Sequence, residues 1–246
     1  MVHYLKADIR RCVKRLPRLA ALVLAFVFII TNLNKSFNSS EYHSWAQIYA
    51  KIPGYLTILI GVIELYFVFE EDLRNRIIQT VIGKGISRER IVFVKYGEFG
   101  LLTLTDFFLY TIIYKIVSLT AVVGIPAEYE AEYMVRIFFA WVFMMEIAGI
   151  CMIFIFMQKS IILTVLIYLI LATGLIGKTV EVMCSGENKY YILHLEKLDI
   201  LSVNNKAFAL TAMGNAQVTY TAAMAMYIVA GVCLAILLFS REELEF

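Results

Sequence analysis

The sequence predicts an all-α integral membrane protein, and three observations predict it. Apolar residues make up 61% of the 246 and charged residues only 17%. The apolar residues gather in runs, several of them long enough to cross a bilayer core, which is about 30 Å thick and takes roughly 20 helical residues. Proline is rare, so little breaks those runs. A mean hydropathy of +0.77 is more than a soluble core needs. A soluble enzyme is excluded as a class, and no nucleic-acid partner is expected.

Residues 1–17 predict an interfacial elbow helix. Leu5, Ile9, Cys12, Val13 and Leu16 share one face at helical spacing, while Lys6, Arg10, Arg11, Lys14 and Arg15 fill the other. Such a helix lies among headgroups with its cations on anionic lipid. Pro17 suits the first turn of a new helix. The apolar run Leu19–Ile30 is followed by no small-residue cleavage site, so it reads as a retained anchor rather than a signal peptide.

Six spans follow from apolar length: 18–32, 52–70, 89–117, 133–157, 160–177 and 218–239. The third is longer than a bilayer needs and should tilt or project. Gly54, Gly61, Gly149, Gly174 and Gly231 fall in or near spans, where small residues let helices approach closely. Cys12, Cys151, Cys184 and Cys233 are far apart, so they read as packing residues, with no disulfide or metal framework.

Lysine and arginine set the orientation. With both termini inside, the inner segments hold Lys6, Arg10, Arg11, Lys14, Arg15, Arg18, Arg74, Arg76, Lys84, Arg88, Arg90, Lys95, Lys159 and Arg241, most of the 22 cations. Glu128, Glu130 and Glu132 then fall outside, as does the long segment 178–217. The expected location is the plasma membrane of a bacterial cell, multi-pass, with the lipid bilayer as a partner.

The polar stretch 71–88 becomes a cytoplasmic loop between spans two and three. Glu71 and Asp72 are expected to favour the N-terminus of a short helix through its dipole. Leu73, Ile77 and Val81 recur every four residues, with Arg74 on another face. Gly83 and Gly85 are expected to stop the helix, and Ser87 to cap the next, which begins near Arg88. The apolar face of that helix must be covered, either by the chain's own spans or by a groove on a soluble partner.

The order of acidic pair, short helix, glycine and then G-I-S-R-x-x-I-x-x-x-K, from Gly85 to Lys95, resembles the membrane subunit of ABC-2-type transporters. The topology of the whole chain is similar, from the elbow and six spans to the larger outer segment before the last span. Arg74-Asn75-Arg76 departs from the Gly-Thr common there. The resemblance implies that residues 71–88 carry a coupling helix docking on a separate cytoplasmic ABC ATPase. It implies two ATPase copies and a second permease chain, identical or paralogous, with ATP and Mg held by the ATPase. Exported peptides, including antimicrobial peptides, are the substrates it suggests. It also implies that segment 178–217 folds into short helices that cap the outer end of the pathway.

No cofactor, catalytic residue or metal ligand is expected on this chain. Gly83-Lys84 is followed by Gly85, and Ile78 stands where a phosphate cradle has its first glycine. Glu64, Asp106 and Glu146 fall inside predicted spans, either lining a translocation path or clamping helices together. Lys95 and Glu98 are expected to pair on the inner rim. Two other functions stay open. One is a non-transporting membrane anchor or sensor subunit. The other is an intramembrane protease, since Glu70-Glu71-x-x-Arg74 resembles, one residue short, the E-E-x-x-x-R motif of CAAX-type proteases. Against it, His3, His43 and His194 all fall outside the predicted spans.

Overall fold

A computed structural model describes residues 16–37, 42–74, 77–120, 127–176, 179, 199–212 and 218–241. These form eight helices and no strand: α1 Leu16–Phe37, α2 Tyr42–Arg74, α3 Ile77–Gly83, α4 Arg88–Thr120, α5 Ala127–Gln158, α6 Ile161–Ala172, α7 Ile200–Ala212 and α8 Val218–Arg241. The elbow expected over 1–17 lies outside the described residues, apart from Leu16 and Pro17, which open α1.

Among the described residues two helices are long and apolar enough to cross a membrane, within α5 (Glu132–Gln158) and α8. α1 and α6 carry shorter apolar stretches, Pro17–Val27 and Ile161–Ala172. α2 and α4, at 33 residues each, run several residues past their predicted ends. α6 is cut short of its predicted end. Thr173 closes it, and Gly174 follows with a φ of +64°, which is costly for any residue with a Cβ.

The bundle is built by stripes. On α2, Leu56, Ile60, Leu65, Val68 and Phe69 are fully buried at helical spacing. α5 is central, with 67% of its apolar window buried against 28% for α8. α4 runs antiparallel to α2 and α5: Tyr110 meets Tyr133, with hydroxyls 2.8 Å apart, and Tyr96 donates to the Met145 carbonyl at 2.9 Å. α8 runs parallel to α5, as Gly149 meets Gly231 and Phe156 stacks on Phe239. The backbones of α5 and α8 touch at the glycines, where a Cβ on Gly231 would come 2.8 Å from the Gly149 carbonyl carbon.

The two short helices close opposite ends. α3 sits where α2 ends and α4 begins. α7 lies at the other end, where Val203, Ala207 and Phe208 pack with Phe139 and Met224 as a second small core. The outward faces of α4, α6 and α8 carry exposed large apolar residues, among them Phe108, Ile162, Leu166, Met226 and Leu237.

Candidate functional site

The α3 end is fixed by backbone chemistry. The Ile86 N–H donates to the Val81 carbonyl and the Gly85 N–H to the Ile82 carbonyl, at 3.4 and 2.8 Å. This is a Schellman stop, with Gly85 in the left-handed position at φ +85°. Gly85 therefore ends α3 as the sequence predicts. Gly83 is an ordinary helical residue with open space around its Cβ position.

Two expectations for this loop change, and one open alternative is decided. Glu71, Asp72, Leu73 and Arg74 do not open the short helix; they form the last turn of α2. Asp72 is held there by an ion pair with Lys95 rather than by a helix dipole, and both side chains are buried. The apolar face of α3 is covered by the chain itself. Ile78 and Val81 are buried, and Leu73, Ile77, Ile82 and Ile86 pack against the same core. What this end of the bundle offers outward is polar: Arg74 of α2, Thr80 of α3, Lys84 and Ser87 of the turn, and Arg90 of α4 are exposed. Arg88, expected at a partner's dock, instead reaches the end of α8. Its Nη1 donates to the carbonyls of Phe239 and Ser240 at 2.9 and 3.0 Å, and its guanidinium lies over the Phe239 ring. A cation on the last carbonyls of a helix is well placed.

Two of the three acids expected inside spans meet, and the third stands apart. Arg18 of α1 lies between Glu64 of α2 and Asp106 of α4. Its Nε donates to both Glu64 oxygens at 2.8 and 3.0 Å, and its Nη2 to Asp106 at 3.3 Å. All three are almost fully buried. Glu64 and Asp106 thus form an interhelical clamp. Arg18 had been assigned to the inner surface. Its place on the buried stripe Arg18–Leu22–Phe26 was the signal that it turns inward.

A second cluster repeats the design one level down the α2–α4 seam. Lys95 is buried between Asp72 and Glu98, with Glu98 at 2.8 Å. Glu64 and Asp72 are eight residues apart on one stripe, so the two clusters are separated by about 12 Å of helix. Each places one cation between two carboxylates. Burying charge is costly unless it is paired, and both clusters pair their charges across helices. Lys95 and Glu98 pair as expected, though in the interior and not on a rim.

Glu146 joins neither cluster. It is fully buried on α5, and neither carboxylate oxygen has a hydrogen-bond partner among the described residues.

At the α7 end a cavity of about 500 Å³ lies between α2, α5, the end of α6 and α7. Aromatic side chains of Phe139, Phe143 and Phe208 line it together with Arg136, Asn204 and Asn205. Arg136 pairs with Glu132 at 3.2 Å and lies over the Phe208 ring at 4.1 Å. The helix that closes this end falls in the segment predicted to carry short capping helices; Cys184, Tyr190 and His194 of that segment lie outside the described residues.

Among the described residues no group of three or more His, Cys, Asp or Glu is placed to hold a metal. The sequence also holds one nucleotide-binding letter pattern. Ala172-x-x-x-x-Gly177-Lys178-Thr179 approximates a phosphate cradle, with alanine in place of the first glycine. Its setting does not fit: it follows the apolar helix α6 rather than a strand. The Thr179 hydroxyl donates to the Leu175 and Ile176 carbonyls, as a helical threonine does.

Neither a protein-family model nor a curated protein matches this chain.

Proposed function

We propose that this chain is the membrane-spanning permease subunit of an ABC-2-type exporter, working with a separate ATPase. In this reading α1, α2, α4, α5, α6 and α8 are six spans with both termini in the cytoplasm. The apolar girdle on α4, α6 and α8 then faces lipid, where exposed patches of this kind belong. The α3 end faces the cytoplasm and the α7 end the exterior.

One observation carries the proposal. α3 is a short helix packed at the end of α2 and joined to α4 by a tight turn, apolar on its inner side and flanked on its outer side by the exposed cations Arg74, Lys84 and Arg90. Ile78 and Val81 tie it to the core, and the Asp72–Lys95 ion pair joins the two long helices directly beside it. A push on α3 is therefore delivered to both helices at once. Arg88 passes it to the end of α8. ATP binding would draw two ATPase subunits together, displace α3 in each of two permease chains and reorient the spans. The ATPase carries ATP and Mg. Peptides, including antimicrobial peptides, are the proposed cargo. Since the apolar face of α3 is already covered, the ATPase would grip the exposed cations and hydroxyls.

That same burial favours a second reading, a membrane anchor or sensor subunit that holds a partner without nucleotide-linked motion. Co-purification separates the two. The chain is expressed with its genomic neighbours, solubilised, and assayed for bound protein and ATP hydrolysis. The transporter reading expects an ATPase that is lost from the triple variant Arg74→Glu, Lys84→Glu, Arg90→Glu, while the chain itself elutes unchanged. Failure of any nucleotide-binding protein to co-purify moves the anchor or sensor to the front.

A further inference from the structure

The cavity under α7 has a chemistry that transport alone does not call for. Its volume of about 500 Å³ is that of a small-molecule site. Its apolar wall combines the aromatic Phe139, Phe143 and Phe208 with the small Gly54, Ala140 and Ala172. Arg136 of its wall is paired with Glu132, and the pair is neutral overall. A strongly charged ligand therefore gains little there.

The wall also holds unused hydrogen-bonding groups. Arg136 spends Nε and Nη2 on Glu132, and its Nη1 has no partner among the described residues. Asn204 is buried, and its amide nitrogen donates to the Phe139 carbonyl at 3.0 Å, yet its side-chain oxygen has no partner there. The exposed Asn205 amide is likewise unpaired among the described residues. So the cavity presents donors and an acceptor within an apolar surround, where the charge of the lining Arg136 is paired with Glu132. A peptide bond has one donor and one acceptor. Its N–H suits the Asn204 oxygen, and its carbonyl suits Arg136 or Asn205. An acyl chain would use none of these groups.

We propose that the cavity between α2, α5 and α7 binds an uncharged apolar peptide segment of about two residues, holding its amide by Asn204 and Arg136. This goes beyond the permease reading and needs no ATPase, so either can fail without the other.

The probe is N-acetyl-phenylalanyl-photoleucine amide, whose diazirine labels what it touches. It is irradiated with the full chain in detergent, and the labelled peptides are mapped by mass spectrometry. Label is expected within 136–143 and 201–208, displaced by unlabelled N-acetyl-phenylalanyl-leucine amide. Gly54 lines the cavity and nothing stands within 4 Å of a Cβ built on it, so Gly54→Trp is the variant chosen to obstruct the cavity. It should abolish labelling, with Gly54→Leu as the milder block should the first not fold. Arg136→Met keeps the apolar stem and should weaken binding roughly tenfold, as loss of a charge-assisted hydrogen bond does. Labelling that survives both Gly54 variants overturns the proposal. A diazirine fatty acid that labels the same residues and resists the dipeptide makes this a lipid site, and also overturns it.

Discussion

The ring of Tyr168 lies where a side chain on Gly61 would stand. A Cβ built there overlaps the phenol oxygen and ring carbons. The same hydroxyl donates to the Thr57 carbonyl at 2.8 Å, so α6 is seated on α2 by one fully buried side chain. Gly61→Ala should therefore destabilise the fold by about 2 kcal/mol, the usual cost of overpacking. In a Tyr168→Ala background the same change should cost much less, because the obstructing ring is gone. Thermal unfolding of the four proteins in one detergent closes the cycle. Equal costs in both backgrounds would mean that the two residues do not touch.

Arg18 is the only cation between Glu64 and Asp106 that the described residues show. Removing one partner of a buried pair leaves charge without compensation, at about 3–5 kcal/mol. Arg18→Met should cost that much, since two facing carboxylates then remain in the interior. The triple variant Arg18→Met, Glu64→Gln, Asp106→Asn removes every charge together and should recover most of the loss. An unfolding midpoint for Arg18→Met that matches the parent protein would dissolve the clamp.

Those clusters mark where the sequence was legible. The helical class follows from composition and apolar runs, and Gly85 and Pro17 each stand where local backbone rules put them. The buried charges were visible as exceptions in the predicted apolar spans, but their partners were not. Glu64 and Asp72 fall on the stripe Leu56–Ile60–Val68, which shows that they turn inward and not what they meet. Pairing Arg18 with Asp106 joins residues 88 apart in sequence, set by how three helices pack and not by any local pattern. Leu73, Ile77 and Val81 all pack inward, though Leu73 belongs to α2 and only Ile77 and Val81 to α3. Whether a partner or the chain covered that face depended on how close α2 and α4 lie. Charge position also misled: Glu71 and Asp72 look like a helix start, yet Asp72 faces Lys95 across the seam.

The two glycines of the loop should behave differently. Gly85 has a left-handed backbone, which costs a residue with a Cβ about 1–2 kcal/mol. Gly85→Ala should lower stability by that amount. Gly83→Ala should be neutral or slightly stabilising, because that residue is helical with open space around it and alanine restricts the unfolded chain. Hydrogen exchange at residues 77–86 reads the effect locally. Faster exchange in the Gly85 variant alone is expected, and equal exchange in both would remove the Schellman stop.

Glu146 carries the opposite expectation to Arg18. Its two oxygens are buried with no hydrogen-bond partner among the described residues, beside the contact of α5 with α8 at Gly149 and Gly231. An unpaired buried polar group lowers stability, by about 1–3 kcal/mol when it is neutral and more when charged. Glu146→Leu replaces it with an apolar group of similar length, so the unfolding midpoint should rise. Glu146→Gln should change it little, since the amide still needs partners. A residue that weakens its own fold is usually kept for what it does, as stability and activity trade against each other. If the permease reading is right, Glu146→Leu should gain stability while losing peptide-stimulated ATP hydrolysis in the assembled complex. A fall in midpoint of the size expected for Arg18→Met would show instead that the carboxylate has a structural partner.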